Sequence, residues 1–169
     1  MKVLGIESTA HTLGIGIVDE DEVHANVKSM FEPEEGGIHP RKASEHHYQH
    51  ALEKINEAEA KTDFTLEEVD AIAFSQGPGI PQCLDVGAVL ARTLSKKYDI
   101  PLIGVNHCLA HISIGTRTTE AENPTTLYIS GGNSQILDLR SGRYRVVGET
   151  LDIALGNALD KLARKLGYP

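Results

Sequence analysis

The sequence predicts an α/β protein of duplicated, two-lobed architecture, and three observations carry that expectation. A β-β-β-α run of hydrophobic patterns opens the chain, and a second such run closes it. Each run turns on small polar residues, EST at 7–9 and SGGNS at 130–134. Between the two runs, strand-like and helix-like segments alternate, as they do around a largely parallel sheet.

The elements follow in order. Residues 3–6, 13–18 and 23–29 read as short strands separated by the polar turns STAHT and DEDE. FEPEEGGIHP is then a loop, with Gly36 and Gly37 supplying backbone freedom. From Arg41 the period lengthens: Ala43, His47, Ala51, Ile55 and Ala58 line one face of a helix that reaches about Ala60. Thr65 and Glu68 have capping-box spacing for a short helical turn. Residues 71–75 form a buried strand that ends in the loop QGPGIP. The next helix spans 83–98, with Val86, Val89, Leu90 and Leu94 as its apolar side.

Pro101 resets the chain for a strand at 102–105, after which Asn106 is placed to cap a short helix bearing His107 and His111. Beyond TRTTEAENP come strands at 127–130, 135–139 and 144–148, divided by GGNS and RSG. A last helix carries Leu155, Leu159, Leu162 and Leu166 at helical spacing. The reading is a first lobe at 1–120 and the beginning of a second at 121–169. The second lobe lacks its later strands, so the chain reads as truncated.

Bulk properties narrow the function classes. Of 169 residues, 40% are hydrophobic and 24% charged, ordinary values for a globular protein. No apolar run reaches membrane-spanning length, and MKVLGIES enters a strand without a signal peptide. Cys83 and Cys108 form no close pair and read as free thiols in a reducing cytoplasm. The 24 acidic residues outnumber the 16 basic ones, a net charge of −8 that argues against a broad electrostatic grip on nucleic acid.

Three places carry candidate chemistry. His107 and His111, four apart, project from one helix face and are near enough to share an ion. Taken alone, such a pair is more often structural. Cys108 stands where a zincin protease needs glutamate, which disfavours that chemistry. YISGGNS at 128–134 is a sufficient recipe for a hairpin turn, and its glycines also let backbone approach an anion closely. Asp160 by default is a solvated helix carboxylate. Leu159 and Leu162 mark the buried side of that helix, and Asp160 lies off it. Glu7 reads equally as a strand-end carboxylate or as a group orienting a bound water, and it stays outside the candidate set. His39, His46, His47 and His50 share no tight face with carboxylates and give no second metal site.

Six segments together resemble one family: GIESTAHTLGIGIV (5–18), GGIHPRKASEHH (36–47), FSQGPG (74–79), GVNHCLAHI (104–112), LYISGGNSQ (127–135) and GETLDIALGNALDKLAR (148–164). They are similar to the actin/hexokinase/Hsp70 (ASKHA) fold. More closely, they resemble the tRNA threonylcarbamoyladenosine synthase family, the catalytic subunit of the KEOPS complex in archaea and eukaryotes, with TsaD as its bacterial relative. NHCLAHI together with SGGNS is similar to the archaeal/eukaryotic branch. One departure is Asp85 in CLDVG, where a basic residue is expected.

The resemblance implies one divalent metal ion, iron or zinc, held by His107, His111, the phenol of Tyr128 and a carboxylate beyond this chain. It implies a substrate loop at Tyr128, Ile129, Ser130, Gly131 and Gly132, extending to Asn133. Asp160 would contact the ribose of an adenine nucleotide, threonylcarbamoyl-adenylate or ATP, with Lys161 as the runner-up for phosphate. Implied partners are tRNA, an atypical kinase subunit and a small dimerising subunit docked on the helix after Arg41. The implied reaction moves threonylcarbamoyl from its adenylate to an anticodon-loop adenosine, with no side chain standing out as general base. The fragment alone is expected to be inactive. Two rivals remain: a non-catalytic KEOPS partner-binding fragment, and a small-molecule kinase of the same fold, which leaves H-x-x-x-H unexplained.

Overall fold

A computed structural model describes residues 1–33 and 37–168. Gly36, half of the anticipated loop pair, lies outside the described residues. The chain divides into two compact units, Met1–His107 and Cys108–Pro169.

In the first unit, β1 (Val3–Glu7), β2 (Thr12–Val18) and β3 (Val23–Met30) form the expected antiparallel meander. β4 (Ala71–Gly77) joins β1 in parallel, and β5 (Leu102–Asn106) joins β4, giving the order β3-β2-β1-β4-β5. Strict alternation in β1 and β2 sends Leu4, Ile6, Leu13, Ile15 and Ile17 to one face, where each is at most 3% exposed. α1 (Pro40–Glu59) opens on a proline at a position that needs no backbone donor, and it buries the five residues read from its period. α2 (Pro81–Tyr98) begins in the same way and ends at Asp99 in the left-handed conformation, with Lys96 and Lys97 complementing the carbonyl end. The anticipated capping box is present around a single 3₁₀ turn, Leu66–Glu68, where the Thr65 N–H donates to Glu68 Oε2 at 2.9 Å.

The face of α2 differs from the sequence reading. Cys83, Gly87, Ala91 and Leu94 are buried, whereas Val89 is 62% exposed. The reason is close approach: a side chain at Gly87 would collide with the Ser8 hydroxyl at the end of β1. Small residues therefore form the contact. Asn106 also ends β5 rather than standing between elements, because the strand runs straight into α3 (His107–Arg117).

In the second unit, β6 (Thr126–Ile129), β7 (Ser134–Arg140) and β8 (Arg143–Glu149) form an antiparallel meander. A small core of Ile112, Tyr128 and Leu137 sits on one face, with Cys108 and Tyr144 against it. α4 (Leu155–Lys165) follows. Its leucines share one stripe as anticipated, but that stripe is not buried: exposure runs from 44% at Leu155 to 66% at Leu166. Periodicity tells which residues share a face and not what covers it. Among the described residues, no helix is long and apolar enough to cross a membrane.

His47 supplies a pH-sensitive tie in the first unit. It is fully buried, and its Nε2–H donates to the Ala10 carbonyl at 2.9 Å, fixing α1 to the turn after β1. Burial pushes its pKa below the ordinary value, and the Ala10 bond offsets only part of that. A depressed histidine contributes stability above about pH 6.5 that is lost as pH falls through the folded-state pKa. His46, also shifted down by burial and by His50, adds to the same window. The thermal midpoint is therefore expected to drop between pH 7.5 and 5, with a shallower slope in His47→Gln. An unchanged slope in that variant would rule His47 out as the source.

Candidate functional site

The carboxyl ends of the parallel strands β1, β4 and β5 bring Glu7, Ser75 and His107 together although they lie far apart in sequence. Ser75 Oγ and the Thr9 N–H both donate to the Glu7 carboxylate, the latter at 2.6 Å. His107 Nδ1 stands 3.2 Å from Glu7 Oε2 and 3.4 Å from Thr9 Oγ1. Burial alone would raise the Glu7 pKa. The hydrogen bonds from His107, Ser75 and Thr9 outweigh burial and hold it at about 2. An ionised carboxylate only accepts, so His107 donates to it through Nδ1–H.

α3 places His107 on its first residue and His111 one turn later. The His111 ring lies 6.0 Å from that of Tyr128, centroid to centroid and tilted by 50°, and Tyr128 is buried in the small core. Among the described residues, no three His, Cys, Asp or Glu side chains gather as a metal cluster. His107 closes the first unit, whereas His111 and Tyr128 belong to the second; imidazole and phenol are donor types compatible with iron or zinc. A carboxylate holding the outer nitrogen of one imidazole is the usual support for a metal-binding histidine.

The glycine loop is built as a closed turn. Ser130 N–H donates to the Asn133 carbonyl at 2.7 Å, and the Asn133 N–H donates back to Ser130 Oγ at 3.0 Å. The start of α4 is stapled beneath it: Leu155 N–H donates to Ser134 Oγ at 2.7 Å, and Gly156 N–H to the Ser130 carbonyl at 3.3 Å. Gly156 lies against the backbone of Ser130 and Gly131. Gly132 has open space around it. Ile129 is exposed and lines an apolar cleft of about 480 Å³ with Leu127, Ile136, Leu155 and Ala158, within the size range of small-ligand sites. Asp160 is exposed, one helical turn beyond Gly156 and so on the same side of α4 as the loop. The sequence reading reached Asp160 through a buried leucine side, which the exposed leucines overturn.

Glu7, Thr9 and Ser75 are what sequence reasoning left out. EST closes the first strand and FSQ the fourth, and that shared strand-end position is the only signal of their meeting.

Comparison with known proteins matches this chain to one family. Residues 22–169 match the TsaD family model, described as tRNA N6-adenosine threonylcarbamoyltransferase. A protein of that name from Methanococcoides burtonii is 53% identical over 98% of this chain and 50% of its own length. Its counterpart from Thermococcus gammatolerans is 54% identical over 99% of this chain and 51% of its own. A "Probable bifunctional tRNA threonylcarbamoyladenosine biosynthesis protein" from Methanosarcina acetivorans is 55% identical over 99% of this chain and 31% of its own length. The chain thus spans about half the length of the first two relatives. Among solved structures, YeaZ from Pseudomonas aeruginosa superposes with a TM-score of 0.62 at 17% identity, over 89% of this chain and 68% of that one. That likeness shows the α/β fold of ASKHA type. Matched over residues 22–169, the chain belongs to the tRNA N6-adenosine threonylcarbamoyltransferase family.

Proposed function

We propose that this chain forms part of an enzyme that transfers threonylcarbamoyl from threonylcarbamoyl-adenylate to an anticodon-loop adenosine of tRNA. The observation that carries the proposal is the Glu7–His107 pair, which orients an imidazole for metal binding one turn from His111. His107, His111 and Tyr128 are the residues that would hold one divalent ion, iron or zinc. Such an ion supplies Lewis-acid stabilisation of negative charge developing on the transferred group. Glu7 accepts from His107 Nδ1–H and so fixes the direction of the ring, and Ser75 and Thr9 keep Glu7 ionised and in place.

The loop Tyr128, Ile129, Ser130, Gly131, Gly132 and Asn133 binds the adenylate, its glycines admitting phosphate close to backbone. Asp160, on the loop side of α4, accepts from ribose hydroxyls. In the whole enzyme the lobes are proposed to be residues 1–120 and 121–169, a boundary past the division of this chain into compact units at His107. The enzyme works in the cytoplasm within KEOPS, with the small dimerising subunit on α1, where Tyr48 and Leu52 are exposed. An atypical kinase subunit acts alongside, and a bifunctional relative supports work beside a second activity.

Incubation of the whole enzyme that carries this chain with its partner subunits, threonylcarbamoyl-adenylate and tRNA is expected to yield threonylcarbamoyladenosine in the digested tRNA, read by mass spectrometry. His111→Ala should reduce the yield to background. Sugar phosphorylation indifferent to His111 would instead support the kinase reading.

A further inference from the structure

We infer that the distal end of the β7–β8 hairpin is a contact site for the phosphate backbone of RNA; the identity of that RNA as tRNA rests on the transferase reading. The register pairs Asp138 with Arg145 and Arg140 with Arg143. Residues opposed across a ladder share a face, as do residues two apart on a strand. Asp138, Arg140, Arg143 and Arg145 therefore all stand on one side of the sheet. The other side is occupied by Leu137, which is buried, and by Tyr144, which packs against the core of the second unit. The hairpin thus has no freedom to turn its arginines inward.

The charges on that side do not balance. Arg140 Nε bonds Asp138 Oδ2 at 2.7 Å, and Asp138 is the one carboxylate among the four. Arg140, Arg143 and Arg145 are all exposed. Arg140 directly faces Arg143, an arrangement that disfavours the hairpin unless an anion lies between or above the two. Ser141 and Gly142, at φ of 52° and 72°, make the tight turn that holds the pair together at the tip. Three guanidinium groups on one rigid ribbon suit phosphate oxygens, which they grip in bidentate fashion, better than they suit a single carboxylate.

The distribution of charge along the chain points to the same place. Residues 1–107 carry eighteen acidic and nine basic side chains, whereas residues 108–169 carry six and seven. A polyanion is repelled by the first unit, so a local grip belongs where acid is scarce. The net charge of −8 excludes a broad electrostatic surface and leaves room for this narrow one.

The test is binding of fluorescently labelled tRNA to the chain across a series of salt concentrations. For the Arg143→Gln/Arg145→Gln double variant, the slope of log affinity against log salt is expected to fall by about 0.7–0.9 per arginine removed. Arg143→Lys/Arg145→Lys keeps the charge and should keep the slope. Lys96→Gln/Lys97→Gln, the same charge change on α2, should leave both slope and affinity as they are. An unchanged slope in the double glutamine variant, or an equal loss in the α2 control, overturns the proposal. Competition by polyglutamate as strong as that by RNA reassigns the hairpin to an acidic protein partner. Failure of the wild-type chain to bind any RNA also overturns it, and the transferase reading then still stands or falls on its own product assay.

Discussion

Glu7→Gln is expected to lower both metal affinity and threonylcarbamoyl transfer by about 10- to 100-fold, the range found when the carboxylate behind a metal-binding histidine is removed. The substitution keeps the volume and removes the charge. In the wild type, Glu7 accepts from Ser75 Oγ, from the Thr9 N–H and from His107 Nδ1, and these bonds hold it ionised down to about pH 2. A glutamine amide offers a single acceptor oxygen and can present its NH2 to His107 instead. The imidazole then loses the partner that fixes its orientation. The sign of the acid response follows from the lowered pKa. Stability from Glu7 is present above about pH 4.5 and is lost as pH falls towards 2, so the variant should show a flatter acid limb. Metal content by elemental analysis and product yield on tRNA measure the two main effects. Wild-type values for both would mean that the Glu7–His107 contact is structural only.

Gly156→Ala is expected to cost on the order of 100-fold in transfer, the scale of an ångström-sized misplacement of a binding loop. An added Cβ would lie 2.6 Å from the Ser130 carbonyl oxygen, 2.9 Å from Gly131 Cα and 3.0 Å from Gly131 N. All three are backbone atoms, so no side-chain rotation relieves the clash. Either α4 or the Ser130–Gly131 turn must move, and the 3.3 Å bond from Gly156 N–H to Ser130 goes with it. Gly37→Ala, where nothing lies within 4 Å, is the matched control. Titration of an adenylate analogue reads the effect as a loss of affinity with most of the thermal stability retained. Equal affinity in the two variants would show that the loop does not hold the nucleotide.

Much of this architecture was legible in the pattern of the chain. The alternation in TLGIGIV and the i+4, i+3 spacing from Ala43 to Ala58 each name the residues that are buried. The same reasoning misjudged α2, because its contact face is made by Gly87 and Ala91, and hydropathy rewards the larger Val89, which faces solvent. It also placed the leucines of α4 inside, since a stripe at helical spacing looks alike whether covered or not. The turn around Ser130 could be read from its glycines. Its fastening to Leu155 and Gly156 depends on contacts more than twenty residues apart, which local pattern does not carry. Glu7 is the extreme case. Its role is set by Ser75 and His107, 68 and 100 residues away, brought to it by parallel pairing of β1, β4 and β5.

The metal centre proposed above has two α3 imidazoles and one phenol as ligands, with Glu7 bonded to His107 Nδ1. X-ray absorption on the zinc-loaded protein tests this most directly. The predicted spectrum has two imidazole nitrogens at about 2.0–2.1 Å with the remaining scatterers oxygen. Sulfur at about 2.3 Å, which would bring in Cys108, or a shell without imidazole scattering would contradict it.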